Sequence, residues 1–262
     1  MSSDLLAPAP ATEPSSILEV YAREPHLHPY GIADVVQLWD CSTWWRNDES
    51  VVGLMDLPGS PVPVLYAISS APAATLDLIG QLEPALPLKM MATGPSGLAE
   101  RLDATFEPAF VTPYVKMHLA RPDTLPPASP SVVTLHHSDQ AALEALFDTD
   151  PVAGDFFHPG LLDTGLYLGL WEGDALAAAG GIHVIDDEQG VAAIGNVTTH
   201  PRHRRRGLGR QVVATLCHRL LERVPTVGLN VRQDNRGARG LYETLGFETI
   251  LPYEETLLKR RL

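Results

Sequence analysis

The stretch "THPRHRRRGLGRQVV", residues 199–213, decides how this chain is read, because it sets five arginines and two glycines within positions 202–210. Before it comes "GVAAIGNVTTH" (190–200), an apolar run that reads as a strand. After it comes "GRQVVATLCHRLLERV" (209–224), in which Val212, Val213, Leu216, Cys217, Leu220, Leu221 and Val224 share one helical face. A glycine-rich turn between a strand and a helix points its backbone N–H groups one way, and with the helix dipole they cradle an anion. Gly207 and Gly209 let the backbone approach without a β-carbon in the way. Cations at a helix N-terminus oppose the dipole by roughly 0.3–1 kcal/mol each. Helix stability therefore explains Arg204, Arg205, Arg206 and Arg210 poorly, although a solvated basic first turn is the plain alternative.

The rest of the charge pattern points the same way. The chain has 262 residues and a formal charge of −13. Residues 131–201 carry 11 acids and no Lys or Arg, and then 202–239 carry 10 arginines against Glu222 and Asp234. A nucleic-acid binder needs a broad cationic face, so the expectation is one compact anion site and no nucleic-acid partner. No apolar run approaches the roughly 18 residues of a membrane span, and "MSSDLLAPAPATEPSS" (1–16) lacks the basic start of a signal peptide. A soluble, cytoplasmic protein is expected, with 1–16 as a disordered tail. Cys41 and Cys217 have no partner at metal or redox spacing.

Outward from the loop, the second half orders itself as helix (139–147), two strands around the turn 172–174, strand, helix, strand (226–233), helix (235–246) and a final strand or hairpin (247–259). The proline-rich "RPDTLPPASPS" (121–131) reads as a linker. The first half repeats the order more weakly: "PVLYAIS", "AATLDLIGQLEPAL", "PLKMMATG", "GLAERLDAT" and "FEPAFVTPYVKMHL". The last of these shares Phe-Glu, Pro-Tyr and a final Leu with "FETILPYEETLL". A tandem duplication is expected, with 17–120 the degenerate copy, since "SSAPA" (69–73) stands where the second copy has its arginines. The fold class is mixed α/β (α+β), a mostly antiparallel sheet flanked by helices.

A P-loop would need Gly-Lys-Ser/Thr, which is absent, and a dinucleotide fingerprint would need a glycine where Val212 stands. What remains is Arg204-x-x-Gly207-x-Gly209. Here the sequence resembles the GNAT superfamily of acyl-CoA-dependent N-acetyltransferases, whose Gln/Arg-x-x-Gly-x-Gly/Ala loop grips the pyrophosphate of coenzyme A. A second signature of that family, Asn-x-x-Ala-x-x-Leu-Tyr-x-x-x-Gly-Phe, is matched at Asn235, Ala238, Leu241, Tyr242, Gly246 and Phe247. The resemblance covers about residues 131–262, with 132–262 as the catalytic domain. "NVTTHPRHRRRGLG" also resembles the subgroup related to glycine N-acyltransferases, whose two-domain plan suits the eroded first half.

The spacing of the histidines leads to an expectation of no metal. The resemblance implies acetyl-CoA as co-substrate. It implies that Val197, Thr198 and Thr199 bond the pantetheine arm through their backbone. Arg204, Arg205, Arg206, Gly207, Leu208, Gly209 and Arg210 would line the pyrophosphate, Asn235 would contact the cofactor, and Tyr242 would give a proton to the departing thiolate. That transfer is chemically feasible, with a thiol near 8.5 and a phenol at about 10. Ala238, Leu241, Tyr242 and Leu245 nevertheless fall at the spacing of a core-facing stripe. The family's usual glutamate base is replaced by Asn230, and Asn196 on the preceding strand is also an amide, which leaves His183 and Glu188 as weak candidates. His200 and His203 form no metal pattern, and Cys217 reads as core.

The acceptor side, 131–201, is acidic enough to favour a small cationic amine, or is acidic merely to stay soluble. Phe156 and Phe157 are either an aromatic wall or core. The expected function is N-acetyl transfer to a small-molecule amine by a monomer or homodimer. The alternative is a non-catalytic acyl-CoA sensor.

Overall fold

The computed structural model describes residues 8–57, 60–150 and 154–261. The chain divides into two compact units. One comprises residues 1–116, 231–235 and 250–262, the other 117–230 and 236–249.

The first unit opens with α1 (Pro14–Tyr21) and α2 (Pro29–Gln37), each started by a proline that needs no N–H in the first turn. There follow β1 (Ser42–Arg46), β2 (Val51–Met55), β3 (Val64–Tyr66), α3 (Pro72–Leu82), β4 (Lys89–Gly94), the single turn α4 (Leu98–Arg101) and β5 (Phe106–Leu119). Residues 1–7 of the expected tail lie outside the described residues. Its remainder is ordered, contrary to expectation: Ala11 N–H bonds the Trp44 carbonyl at 2.7 Å, and Pro14–Ser16 begin α1. The cause is the buried face of that helix, Ile17, Val20 and Tyr21.

The second unit runs through β6 (Val132–Thr134), α5 (Gln140–Phe147), β7 (Leu168–Glu172), β8 (Ala175–Asp186), β9 (Val191–Thr199), α6 (Leu208–Leu221), β10 (Thr226–Arg232) and α7 (Arg236–Thr244), before β11 (Phe247–Arg260). Neighbouring strands follow the order β10-β9-β8-β7-β6. Antiparallel pairing joins β6 to β7, β7 to β8 and β8 to β9, while β9 and β10 are parallel. The buried face of α6 is the one its periodicity gives, with Val212, Val213, Leu216, Cys217 and Leu220 at 0% exposure. The segment 121–131 is tied to this helix by Ser129, which bonds Gln211 at 2.9 Å and Thr215 at 3.0 Å.

In the first unit the order is β1-β2-β3-β4-β11-β5, again with one parallel pair, β3 with β4. The boundary expected at 132–262 therefore moves, because β11 pairs antiparallel with β4 from Glu254↔Gly94 to Lys259↔Lys89. Side chains explain the placement. Leu258 joins a core of Leu65, Leu78, Ile79, Met90 and Phe106. The Glu254 carboxylate accepts N–H bonds from Gly97 (3.0 Å) and Ala99 (2.7 Å), capping α4. Arg260 bonds Glu83 at 2.9 Å and lies over the Phe106 ring at 4.5 Å.

Candidate active site

The loop between β9 and α6 starts with a tight turn at Pro201–His203 and then alternates its backbone. Arg205 takes φ 64° and Gly207 φ 78°, both in the left-handed region. Gly207 precedes the first residue of α6 and no side chain caps that end. The N–H groups of Leu208, Gly209 and Arg210 thus have no helical acceptor and aim off the N-terminus. A β-carbon on Gly207 would meet nothing within 4 Å, so glycine is wanted there for its backbone angle. At Gly209 the reason differs: a β-carbon would come 2.9 Å from Thr199 Oγ1 and 3.6 Å from Leu241 Cδ1. That position is where β9, α6 and α7 meet.

The arginines divide into two sets. Arg204 donates to the Thr199 carbonyl at 3.0 Å and reaches Asp150 at 3.5 Å, and Arg206 pairs with Glu172 at 2.9 Å. Arg205 and Arg210 are exposed and form no ion pair among the described residues. The two held arginines brace the loop, while Arg205 and Arg210, like Arg202, stand exposed.

Along the strand, Val197 and Thr199 are partly exposed, while Thr198 is 4% exposed and its hydroxyl has no hydrogen-bond partner. β9 pairs with β10 from Val191 to Ile194 and is then distorted. Between Gly195 and Thr198 it advances three residues while β8 advances two, and Asn196 adopts φ 52°. On β8 the mirror irregularity falls at His183. Two bulges therefore face each other, and their residues are joined: His183 bonds the Asn196 side chain, which accepts from Tyr167 Oη at 2.6 Å and donates to the Asp155 carbonyl at 2.8 Å. Burial pulls the His183 imidazole down to about 4, more than the Asn196 bond raises it. It is neutral near pH 7 and a feeble base.

Tyr167 was not singled out from the sequence. The glycines carried the signal, since a β-carbon on Gly181 would sit 2.5 Å from the Tyr167 ring and one on Gly195 2.1 Å from His183. Those glycines hold open the space for two rings. The two phenylalanines separate: Phe157 packs on Phe147 and Tyr167 at 5.4 and 5.3 Å, whereas Phe156 is 73% exposed and approaches His183 at 6.0 Å.

Tyr242 is 7% exposed on α7, its ring 5.7 Å from Phe247. Burial, and then Cys217, push its phenol above the usual value, so it is protonated at neutral pH. Cys217 is fully buried and its thiol is likewise pushed up by burial, as a core residue should be. Asn235 is exposed and groups with the first unit, whereas Val197–Thr199, Arg204–Arg210 and Tyr242 belong to the second. Glu188 is exposed in the β8–β9 turn. Among the described residues, no group of three or more His, Cys, Asp or Glu is placed to hold a metal ion, and no helix is long and apolar enough to cross a membrane.

A mostly antiparallel sheet with one parallel pair, opening at a bulge beside a glycine loop and an uncapped helix, defines the GNAT class of fold. Residues 167–256 match the family described as FR47-like protein. A [ribosomal protein bS18]-alanine N-acetyltransferase of Salmonella typhimurium is 41% identical over 83 residues, 31% of this chain and 54% of that protein. The chain thus spans about half the length of the curated relatives it matches. A tandem GNAT protein from the clavulanic acid biosynthesis pathway superposes with a TM-score of 0.51 over 96% of this chain and 97% of its own, at 13% identity. A Drosophila protein gives 0.66 over 96% and 98%, at 15% identity. Residues 167–256 are thus similar to the FR47-like family, and the fold is similar to that of a tandem GNAT protein.

Proposed function

We propose that the second unit binds acyl-CoA and transfers its acyl group to an amine. The observation that carries this reading is the uncapped N-terminus of α6 behind Gly207 and Gly209, with two exposed, unpaired arginines beside it. These groups suit a pyrophosphate: N–H donors from the backbone, guanidinium charge from the rim, and no β-carbon in the approach. The unsatisfied Thr198 hydroxyl and the distorted end of β9 suit an amide-bearing arm alongside.

The co-substrate supplies an activated thioester carbonyl. The amine nitrogen attacks that carbonyl carbon, a C–N bond forms and the C–S bond breaks. Tyr242, whose phenol is protonated at neutral pH, gives its proton to the leaving sulfur and regains one from solvent. The proton lost by the attacking nitrogen passes to water, since Asn230 and Asn196 cannot take it and His183 is too weak a base.

For the acceptor, the acids of 131–201 and the exposed Phe156 favour a small cationic amine. A second reading rests on the curated relatives, whose names give an alanine of ribosomal protein bS18 as acceptor. Free-thiol release from acetyl-CoA, measured with spermidine and with an alanine-initiated peptide, separates the two. Binding of acetyl-CoA without release on any acceptor would favour a sensor, for which the amide at Asn230 is the motivating observation.

A further inference from the structure

Apart from Arg205, the described residues hold two left-handed backbone angles outside glycine, Phe156 at φ 63° and Asn196 at φ 52°. Asparagine tolerates that region, whereas a bulky side chain such as phenylalanine is an outlier there. Packing does not ask for the ring either. Phe156 is 73% exposed, while its neighbour Phe157 packs on Phe147 and Tyr167. Strain of this kind persists only where the surrounding structure imposes it. A strained residue whose ring gains no burial has its reason outside stability.

Asn196 does the imposing. Its Nδ2 donates at 2.8 Å to the Asp155 carbonyl, in the peptide that leads into Phe156. Its Oδ1 accepts from Tyr167 Oη at 2.6 Å, and that hydroxyl also lies 3.2 Å from the Ile182 carbonyl. Phe157 N–H donates to the Gly154 carbonyl at 3.0 Å and closes the turn. The Phe156 ring is thereby set at a steep angle to the His183 ring, with centroids 6.0 Å apart. His183 in turn lies against Gly195 on β9. It is neutral near pH 7 and sets no cation against the phenyl ring.

The faces of the sheet give this arrangement its place. A β-carbon on Gly180 would lie 3.3 Å from Val212 of α6, so Gly180 faces that helix, and Gly181 faces away, onto Tyr167. The set of Tyr167, Asn196 and Phe156 thus lies on the side of β9 opposite the helix whose N-terminus suits a pyrophosphate. Asn196 also directly precedes Val197–Thr199, along which the acyl-CoA arm would run. We propose that Phe156 determines acceptor specificity and that Asn196 is the positioning residue that holds it at the bulge. This inference rests on the acyl-transfer reading of the second unit. A phenyl face attracts an ammonium group, and the exposed Asp155 beside it adds negative charge. The attacking nitrogen must be neutral, so the cation on the ring is a second ammonium group of the same acceptor, a di- or polyamine. Asn196 commits its amide to Tyr167 and Asp155 and acts through the turn, not on the substrate.

The test is free-thiol release from acetyl-CoA with spermidine, on the full chain, with thermal melts and acetyl-CoA calorimetry on each protein. Phe156→Gly raises the spermidine KM at least tenfold, while kcat and acetyl-CoA affinity stay within about threefold. Its unfolding midpoint is no lower than wild type, because glycine relieves the backbone angle. Phe156→Tyr keeps the ring face and the wild-type KM. Asn196→Gly accepts the same φ, removes the amide and raises the spermidine KM as Phe156→Gly does. The two together raise it no further than about twofold beyond Phe156→Gly alone, since both act through one ring. An unchanged KM in Phe156→Gly, a double variant whose effect is the product of the single ones, or release on an alanine-initiated peptide but not on spermidine overturns this inference alone. No release by wild type on either acceptor overturns the acyl-transfer reading and this inference with it.

Discussion

The Thr199 hydroxyl lies 2.9 Å from the point a β-carbon on Gly209 would occupy, so the strand and the helix on either side of the arginine loop are packed to contact. Gly209→Ala should lower the unfolding midpoint by a few degrees, as about 1 kcal/mol does in a domain of this size, and weaken acetyl-CoA binding with it. Thr199→Ala removes the colliding oxygen. The double variant should therefore recover the midpoint, and thermal melts of the four proteins check this.

Gly207 poses the opposite constraint, open space with φ 78°. Gly207→Ala should cost roughly 1–2 kcal/mol of backbone strain by urea unfolding and leave the loop able to bind. Gly207→Glu adds a negative charge where a pyrophosphate would lie, and calorimetry should then show no acetyl-CoA affinity.

Acid should destabilise the protein through its buried histidines. His28 and His183 have folded values near 3 and 4 against about 6.5 unfolded. Below 6.5 the unfolded chain takes up protons that the folded chain refuses, so this stability is present above pH 6.5 and falls as pH drops toward 4 and then 3. His183→Gln should flatten the dependence between pH 6.5 and 4, measured by urea midpoints across that range.

The C-terminal strand should be required by the first unit. Leu258 is 0% exposed among Leu65, Leu78 and Met90, so Leu258→Ala should cost about 2–5 kcal/mol. Ending the chain after Thr249 removes the strand between β4 and β5, and near-ultraviolet circular dichroism should lose the signal of the buried Trp44.

The second half was legible because its elements are amphipathic with sharp ends: Val212 to Leu220 repeat at helical spacing, and Gly246 stops α7. Two features were not. The shared wording of "FEPAFVTPYVKMHL" and "FETILPYEETLL" marked matching strands but not that β11 would lie beside β4, a choice made by nonlocal contacts of Glu254 and Leu258. Likewise the paired bulges at His183 and Asn196 depend on register between strands, which no single segment encodes. The loop, by contrast, announced itself through local chemistry alone.

One measurement bears most directly on the reading of this chain: free-thiol release from acetyl-CoA by wild type, Gly207→Glu and Tyr242→Phe, run with acetyl-CoA calorimetry on each. Release on an amine acceptor is expected for wild type, none for Gly207→Glu, and a rate at least tenfold lower for Tyr242→Phe with acetyl-CoA affinity retained. Full release by Gly207→Glu, or an undiminished rate in Tyr242→Phe, would contradict it.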